Sequence, residues 1–190
     1  MDRWDDSIEQ LLTKYCDESQ CRIAVHRREY YKFKKLNTCF SLPVICLSAL
    51  SGSFQFLSKG FEDFEHVIVL CTGSLSILTS VISAVAAYLK LGQSESAHEQ
   101  AASAWLGFYN EIRHQLSLAR EKRMSSHEFL QNAKTQYDRL FEISPICSVE
   151  QINLVKKKIR AYGDDQFHPP PYMNGFSHTK VYEEYEENSV

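Results

Sequence analysis

The sequence lacks an excess of charge of either sign. Its 190 residues carry 21 Lys and Arg against 24 Asp and Glu, a formal net charge of -3. Because a polyanionic nucleic-acid backbone favours a basic footprint, this balance gives no reason to expect a nucleic-acid partner. The 44% hydrophobic and 24% charged composition is that of an ordinary folded chain, which excludes collagen, coiled-coil fibres and wholly disordered proteins.

The sequence also lacks the motifs that carry chemistry. Its six cysteines form no C-x-x-C pair and its seven histidines are scattered without ligand spacing, so we expect neither a disulfide scaffold nor a metal site. It contains no Gly-rich phosphate loop, no H-E-x-x-H and no G-x-S-x-G. We therefore predict no catalytic residue, no metal and no cofactor, and a protein that spans, holds or assembles rather than an enzyme.

Charge is absent from two long stretches, residues 36–58 and 66–89. As helices rising about 1.5 Å per residue, both exceed the ~30 Å hydrocarbon core of a bilayer. We expect membrane spans at about 38–58 and 67–89, and the alternative is a buried helical hairpin in a soluble protein. Since the chain opens on the acidic MDRWDD, we expect no signal peptide.

The charges that flank these stretches predict an orientation. The connector KGFEDFE at 59–65 is short and acidic, so we expect an antiparallel hairpin with both termini on one side of the membrane. Six basic residues precede the first span: Arg22, Arg27, Arg28, Lys32, Lys34 and Lys35. Because positive flanks stay on the cytosolic side, we expect both termini in the cytosol.

Small residues recur every four positions in both spans. They are Ser48 and Gly52 in the first span, and Thr72, Ser76, Ser80 and Ala84 in the second. Such stripes let helix backbones approach closely in lipid. They predict helix packing, within the hairpin or in a homo-oligomer, and the alternative is the lining of a pore.

Helical periodicity continues outside the spans. An N-terminal amphipathic stripe comprises Trp4, Ile8, Leu11, Leu12 and Tyr15. In the row that follows, we interpret His26 as a packed polar side chain. After the second span we expect a break near Gly92 and then a helix that buries Ala101, Trp105, Phe108 or Tyr109, Ile112 and Leu116.

Two capping boxes mark later helices. Ser125 and Glu128 predict the start of one helix, which should end at Ser144-Pro145 because the residue before proline disfavours helix. Ser148 and Gln151 predict the start of another. The predicted domains are thus an N-terminal amphipathic region (1–35), the transmembrane hairpin (36–92), a cytosolic helical region (93–162) and a tail (163–190).

The tail is rich in proline, aromatic and acidic residues without helical period, and we expect it to be extended. Residues Pro169, Pro170, Pro171 and Tyr172 match the P-P-x-Y ligand of WW domains. The alternative is a stiff spacer. Aromatic anchors for a partner such as a capsid or scaffold protein are Phe167, Tyr172, Phe176, Tyr182 and Tyr185.

Several segments in order carry a family resemblance: YYKFKKLN, LPVICLSALSG, SLSILTSVISAVAAYLKL, SESAHEQAASAWLGFYNEI and FLQNAKTQYDRLFEISP. Residues 25–145 resemble SLATT-type two-span membrane proteins. Bacterial members of that family are thought to be pore-forming effectors paired with nucleotide-sensing partners, and similar proteins occur in large DNA viruses with internal membranes. The lack of a fused sensor domain and the added tail favour the viral variant.

Together the patterns predict an all-α membrane protein: an antiparallel two-span transmembrane helical hairpin with cytosolic amphipathic helices and an extended C-terminal tail. The resemblance implies a structural membrane protein, in a virion inner membrane, that anchors a capsid or scaffold layer to the bilayer. One alternative is a SLATT-like pore-forming effector. The other is a membrane adaptor that recruits WW-domain proteins through PPPY.

Overall fold

The computed structural model describes residues 4–58 and 65–162, together with Phe167, Pro170 and Met173. Within this part the α-helices are α1 (Asp6–Ser58), α2 (Glu65–Tyr88), α3 (Leu91–Ser117), α4 (Ser126–Ile143) and α5 (Val149–Tyr162). A short 3-10 helix, Arg120–Lys122, lies between α3 and α4. The described residues contain no β-strand. The predicted all-helical class is confirmed for them.

Helix α1 is a single element of 53 residues, about 80 Å long at ~1.5 Å per residue. It begins after Asp5, whose Oδ1 accepts a hydrogen bond of 2.8 Å from the Ile8 backbone N and so satisfies a free N–H at the helix start. It continues through Pro43 although proline removes one helix hydrogen bond. The predicted domain boundary after residue 35 therefore lies inside a continuous helix.

Helices α2 and α3 follow each other with a short interruption. Lys90 lies between them in the left-handed region, with φ 51° and ψ 36°, a conformation that is uncommon for residues with a side chain. The Ser94 backbone N donates to the Lys90 carbonyl at 2.9 Å as α3 begins. The predicted break near Gly92 thus occurs at Lys90, and Gly92 lies within α3.

The N-terminal half of α1 packs antiparallel against α3, with α4 on the same side. Their shared core contains Trp4, Leu12, Cys16, Ile23, Trp105, Phe108, Ile112, Phe129 and Ala133. Trp105 is fully buried and its Nε1 donates to Ser144 Oγ at 2.8 Å. The predicted N-terminal stripe is covered by this core, except for Leu11, which is exposed. We call residues 4–35, α3, α4 and α5 the bundle.

The predicted ends of α4 are confirmed. The Ser125 side chain accepts from the Glu128 backbone N at the start of α4, and Ser144 is the extended residue after its end. The predicted start of α5 at Ser148 is confirmed, because α5 begins at Val149, but the capping box itself does not form. The Ser148 backbone N donates to Glu29 Oε1 at 2.5 Å, and Gln151 Oε1 instead accepts from Arg28 Nε at 3.0 Å. The two groups that the capping box would have joined, the Ser148 N–H and the Gln151 side chain, are therefore bound by Glu29 and Arg28 of α1.

Candidate functional site

Two helical stretches are long and apolar enough to span a membrane, one in α1 and one that begins in α2. In the most apolar 18-residue window of each, 0% and 6% of the residues are buried. The exposed apolar side chains include Leu42, Ile45, Leu50, Phe56, Leu70, Ile77 and Val81. A soluble protein rarely exposes so continuous an apolar surface. The alternative of a buried soluble hairpin requires these helices to be covered on their outer faces as well, and the described residues there are exposed.

The side of each apolar helix that faces the other is marked by its less exposed positions. These are Asn37, Phe40, Val44, Leu47 and Ser51 in α1, and Ile68, Thr72, Leu75, Thr79, Ile82 and Ala86 in α2. Helices α1 and α2 contact each other, and the alternating spacing of three and four residues is typical of near-parallel or antiparallel helix packing. We call this contact the seam.

The predicted small-residue stripe and the seam share one residue. Thr72 is buried in the seam, whereas Ser48, Gly52, Ser76, Ser80 and Ala84 are exposed on the single chain. An alanine methyl at Gly52 would meet nothing within 4 Å. A role for these five residues in packing against a second copy stays a prediction.

The hydroxyls of the stripe are satisfied within α2. Ser76 Oγ donates to the Thr72 carbonyl and Ser80 Oγ to the Ser76 carbonyl, each at 2.9 Å. Thr72 Oγ1 donates to the Ile68 carbonyl at 2.9 Å. Because serine and threonine in helices bond back to the preceding turn in this way, the stripe requires no water and suits packing against lipid or another helix.

A different cluster lies in the bundle, where three elements bring metal-ligating side chains together. His26 comes from α1, His98 from α3 and Cys147 from the segment between α4 and α5. His26 Nδ1 lies 3.0 Å from His98 Nδ1, and Cys147 Sγ lies 3.5 Å from His26 Nδ1. The potential ligand atoms all lie within 4.8 Å of one another. Both histidines are buried.

Burial keeps this cluster uncharged. It lowers the pKa of His26 to about 4, with the His98 ring as a further cause, and it also lowers the pKa of His98. Burial raises the pKa of the Cys147 thiol to about 11, with the Glu29 carboxylate adding to the effect. The Phe33 ring stacks on His98 at a centroid distance of 5.5 Å. Near pH 7 His26 is therefore a neutral imidazole held in a packed environment.

Glu29 lies beside the cluster, one helical turn after His26 on α1. Only 1% of Glu29 is exposed. Its Oε1 accepts the hydrogen bond from Ser148, the residue after Cys147, while its Oε2 is buried without a hydrogen-bond partner. A buried carboxyl oxygen without a partner is costly unless a cation or a donor compensates it.

Sequence reasoning missed this cluster. We interpreted His26 as a packed polar side chain and predicted no metal site, because no histidine or cysteine stands at a ligand spacing from another. The three residues come from positions 72 and 121 apart in the chain. The available signal was local and weak: His26 and Glu29 are three residues apart, which places them on one helix face.

The described residues of the tail lie against the bundle. Met173 is buried with Cys21, Val25 and Val155, and Phe167 packs against this second core. Pro170 is buried as well, so a WW domain would have to displace it in order to bind the PPPY motif. Outside the described residues lie the other predicted tail contacts, Pro169, Pro171, Tyr172, Phe176, Tyr182 and Tyr185. Binding of WW domains stays a prediction.

An exposed apolar patch surrounds the connection between α4 and α5. It comprises Phe141, Ile143, Ile146 and Val149, and Ile146 is 97% exposed. Exposed apolar patches on soluble surfaces often mark contacts with a partner. We call these four residues the connection patch.

Comparisons with protein-family models, with curated proteins and with solved structures find no match to this chain. The resemblance of residues 25–145 to SLATT-type proteins stays a prediction. The arguments for function below depend on the surfaces and side chains already described.

Proposed function

We propose that this protein is a structural membrane protein in which residues 36–58 of α1 and helix α2 cross the bilayer as a hairpin. The bundle then stands on the cytosolic side and holds a capsid or scaffold layer at the membrane, as in a virion inner membrane. The outward apolar faces of α1 and α2 carry this proposal, because lipid is the surrounding that makes such faces favourable. The packed core of the bundle suits an aqueous surrounding.

Charge supports the orientation. Arg27, Arg28, Lys34 and Lys35 are exposed on α1 just before the apolar segment. Positive residues in such flanks are retained on the cytosolic side. The acidic connector at 59–65 carries only one basic residue, so it is the flank that is translocated to the side of the membrane opposite the bundle.

The connection patch supports the assembly role. Its four apolar side chains lie on the bundle, away from the core that α1, α3 and α4 share. Apolar anchors of this kind contribute much of the energy of protein contacts. The acidic and aromatic tail residues add a second predicted contact for the same protein layer.

Thiol labelling in membrane vesicles tests the span. A chain with Cys46 as its only cysteine should resist a membrane-impermeant maleimide until detergent is added, since this exposed thiol would face lipid. The matched control carries Lys122→Cys in the exposed turn after α3 as its only cysteine, and it should label in opened vesicles without detergent. Equal labelling of both variants before detergent would contradict the span.

Glycosylation tags test the orientation. A tag at the N-terminus should stay unmodified, whereas a tag in a lengthened connector at 59–65 should be modified. The reverse pattern would overturn the cytosolic placement of the bundle.

Cross-linking in the native membrane tests the assembly role. The wild-type chain should co-purify with a capsid or scaffold protein at fixed stoichiometry, and Ile146→Asp should reduce this recovery. Met124→Asp is the control, because Met124 is also exposed but lies near the opposite end of α4. If Ile146→Asp cross-links to the same proteins at the same stoichiometry, the connection patch does not contact the protein layer.

Deletion of residues 164–190 tests the tail separately. Membrane insertion should persist while recovery of the protein layer falls. If the truncated chain keeps the same partners at the same stoichiometry, the tail is a spacer and the bundle alone makes the contact.

A second candidate function, a SLATT-like pore-forming effector, is favoured by the outward position of the small-residue stripe. Ser76, Ser80 and Ala84 are exposed on the single chain, where a second copy can approach closely. An oligomer built on this face forms a pore only if the hydroxyls of Ser76 and Ser80 line a water-filled channel. Conductance of purified protein in planar bilayers tests this function, and its absence at every protein concentration would leave the stripe as a packing surface alone.

A further inference from the structure

We propose that His26, His98 and Cys147 bind one Zn²⁺ ion, with solvent in the fourth position and the buried Glu29 carboxylate beside the site. The ion would connect α1, α3 and the segment between α4 and α5 within the bundle. The proposal is independent of the membrane function and of the protein layer.

The distances between the ligand atoms fit a tetrahedral ion. With Zn–N near 2.0–2.1 Å and Zn–S near 2.3 Å, tetrahedral angles separate two nitrogens by about 3.3 Å and a nitrogen from a sulfur by about 3.6 Å. The structure has 3.0 Å between His26 Nδ1 and His98 Nδ1 and 3.5 Å between His26 Nδ1 and Cys147 Sγ. These two separations lie within a few tenths of an ångström of the tetrahedral values, and all three ligand atoms lie within 4.8 Å of one another.

Glu29 is an independent observation that points to a cation. This side chain is 1% exposed, and its Oε2 has no hydrogen-bond partner. Its other oxygen is held by the Ser148 backbone N, which fixes the carboxylate next to Cys147. A cation bound at the cluster would offset the cost of burying this unpartnered oxygen.

The donor set selects the metal. Two imidazoles and one thiol make a site of borderline softness, which suits Zn²⁺ with a solvent molecule in the fourth position. Mg²⁺ and Ca²⁺ prefer sites made of oxygen atoms. Binding requires Cys147 as a thiolate, so its proton passes to solvent as the ion enters.

The cluster also has a route for entry. A cavity of about 280 Å³ is bordered by His26 and Cys147 together with Arg22, Phe141 and Ile146. Its position between α1 and the α4–α5 connection brings solvent to two of the proposed ligands. An entry path is one of the features expected of a protein metal site.

Cobalt substitution in the untagged full chain, purified in detergent, tests the site. Every variant also carries Cys39, Cys46 and Cys71 replaced by alanine, so that exposed thiols do not bind the probe. We expect one Co²⁺ per chain, with the visible bands of tetrahedral cobalt and a thiolate-to-cobalt charge-transfer band, displaced by one equivalent of Zn²⁺.

Three variants identify the ligands. Cys147→Ser should abolish the charge-transfer band, and Glu29→Gln should weaken Co²⁺ binding at least about 10-fold, as for groups that ligate or directly support a ligand. Cys21→Ser is the control, since Cys21 is a buried thiol outside the cluster; it should leave both band and affinity unchanged. Circular dichroism establishes that each variant is helical before titration.

The thermal midpoint gives a second readout. Zn²⁺ should raise the midpoint of the parent chain and of Cys21→Ser, because an ion that binds only the folded state stabilises it. It should not raise the midpoint of Cys147→Ser. Failure of the folded parent chain to bind Co²⁺, or a charge-transfer band that survives Cys147→Ser, would overturn the proposal. An affinity unchanged in Glu29→Gln would overturn the role of Glu29 in supporting the ion.

Discussion

The two halves of α1 belong to one helix, yet apolar side chains are buried in the core in one half and exposed on the surface in the other. In the N-terminal half, Leu12 and Ile23 are buried against α3 and α4. In the C-terminal half, Leu42 and Ile45 are exposed on the chain's own surface. The backbone is helical in both halves. Burial is therefore decided by the neighbouring elements and the solvent rather than by the helix itself.

This difference implies different stabilising forces. Full burial of a large apolar side chain from water contributes about 1.5–3 kcal/mol, which applies to Leu12 and Trp105 in the bundle. Between helices in lipid that driving force is absent, and close packing takes its place. The bundle should therefore respond to lost core volume, and the apolar helices to changes at the seam.

Removal of the central core ring should have the largest effect. Trp105→Ala leaves a cavity next to Phe108, Tyr137 and Arg22, and truncation of buried Trp typically costs about 3–5 kcal/mol. The lost free energy of unfolding is measured by denaturant unfolding in detergent, with hydrogen exchange of the bundle helices as the readout. Leu70→Ala, at an exposed position of α2, should leave bundle unfolding unchanged. A similar loss in both variants would break the distinction between the halves.

Enlarging the seam should have the next largest effect. Thr72→Leu places extra volume in a buried position, and overpacking typically costs about 1–3 kcal/mol. Ser80→Leu, at an exposed position, should preserve the hairpin but weaken any homo-oligomer. Thermal unfolding measures the first effect and light scattering in detergent the second. Loss of hairpin stability in Ser80→Leu with Thr72→Leu unaffected would contradict the seam.

Hydroxyl groups have different roles in the two regions. Ser125 Oγ accepts from a free N–H at the start of α4, and loss of such a cap typically costs about 1 kcal/mol. Ser74 Oγ donates to the Leu70 carbonyl within α2 at 2.8 Å, a bond that the helix does not need. Ser125→Ala should lower the free energy of unfolding and Ser74→Ala should not, as measured by denaturant titration.

The smallest expected effect is an acid dependence confined to the bundle. Hydrogen bonds from Arg120 and Arg123 lower the pKa of Glu9 from 4.5 to about 2. A lowered pKa stabilises the fold above pH 4.5, and this stabilisation is lost as the pH falls towards 2. Water partly screens the ion pairs of Glu9 with Arg120 and Arg123. We therefore expect their contribution to the free energy of unfolding to be under about 1 kcal/mol.

Glu9→Gln isolates that contribution. The difference in free energy of unfolding between the parent chain and Glu9→Gln should shrink as the pH falls from 4.5 towards 2. Unfolding at several pH values in low salt measures it. A difference that is constant over this range would exclude Glu9 as its source.

Much of the helical architecture could be predicted because its signals are local. The charge-free stretches, the apolar rows of α1 and α3, the Ser125 cap and the Ser144-Pro145 stop each depend on residues within a few turns. The predicted break lies two residues after the observed break at Lys90. The reason is that glycine is the usual residue for a left-handed backbone and the sequence offers Gly92 nearby.

The seam shows why a strict spacing of four residues does not mark the face that α2 shares with α1. Four residues turn an α-helix by about 400°, so a stripe with a strict period of four drifts by about 40° per step. Ser76, Ser80 and Ala84 thus rotate away from the face that Thr72 shares with α1. Alternating steps of three and four, as at Leu75, keep a side chain on one face.

The cluster of His26, His98 and Cys147 shows the opposite limit. Its members are brought together by tertiary packing between α1, α3 and the α4–α5 connection, and nothing in the local sequence of His98 or Cys147 indicates the others. The same holds for Glu29, which replaces Gln151 as the partner of the Ser148 N–H. Long-range pairings of this kind require the fold before they can be identified.

The unbroken course of α1 has a mechanical consequence. From Asp6 to Lys35 the helix extends about 45 Å, at ~1.5 Å per residue, beyond the segment that we assign to the bilayer. A stiff rod of that length acts as a lever: a change of 10° in the inclination of its lipid-embedded end displaces the far end sideways by about 8 Å. Bilayer thickness alters helix inclination. With α1 inserted as we propose, the sideways position of its far end is thereby tied to the thickness of the membrane.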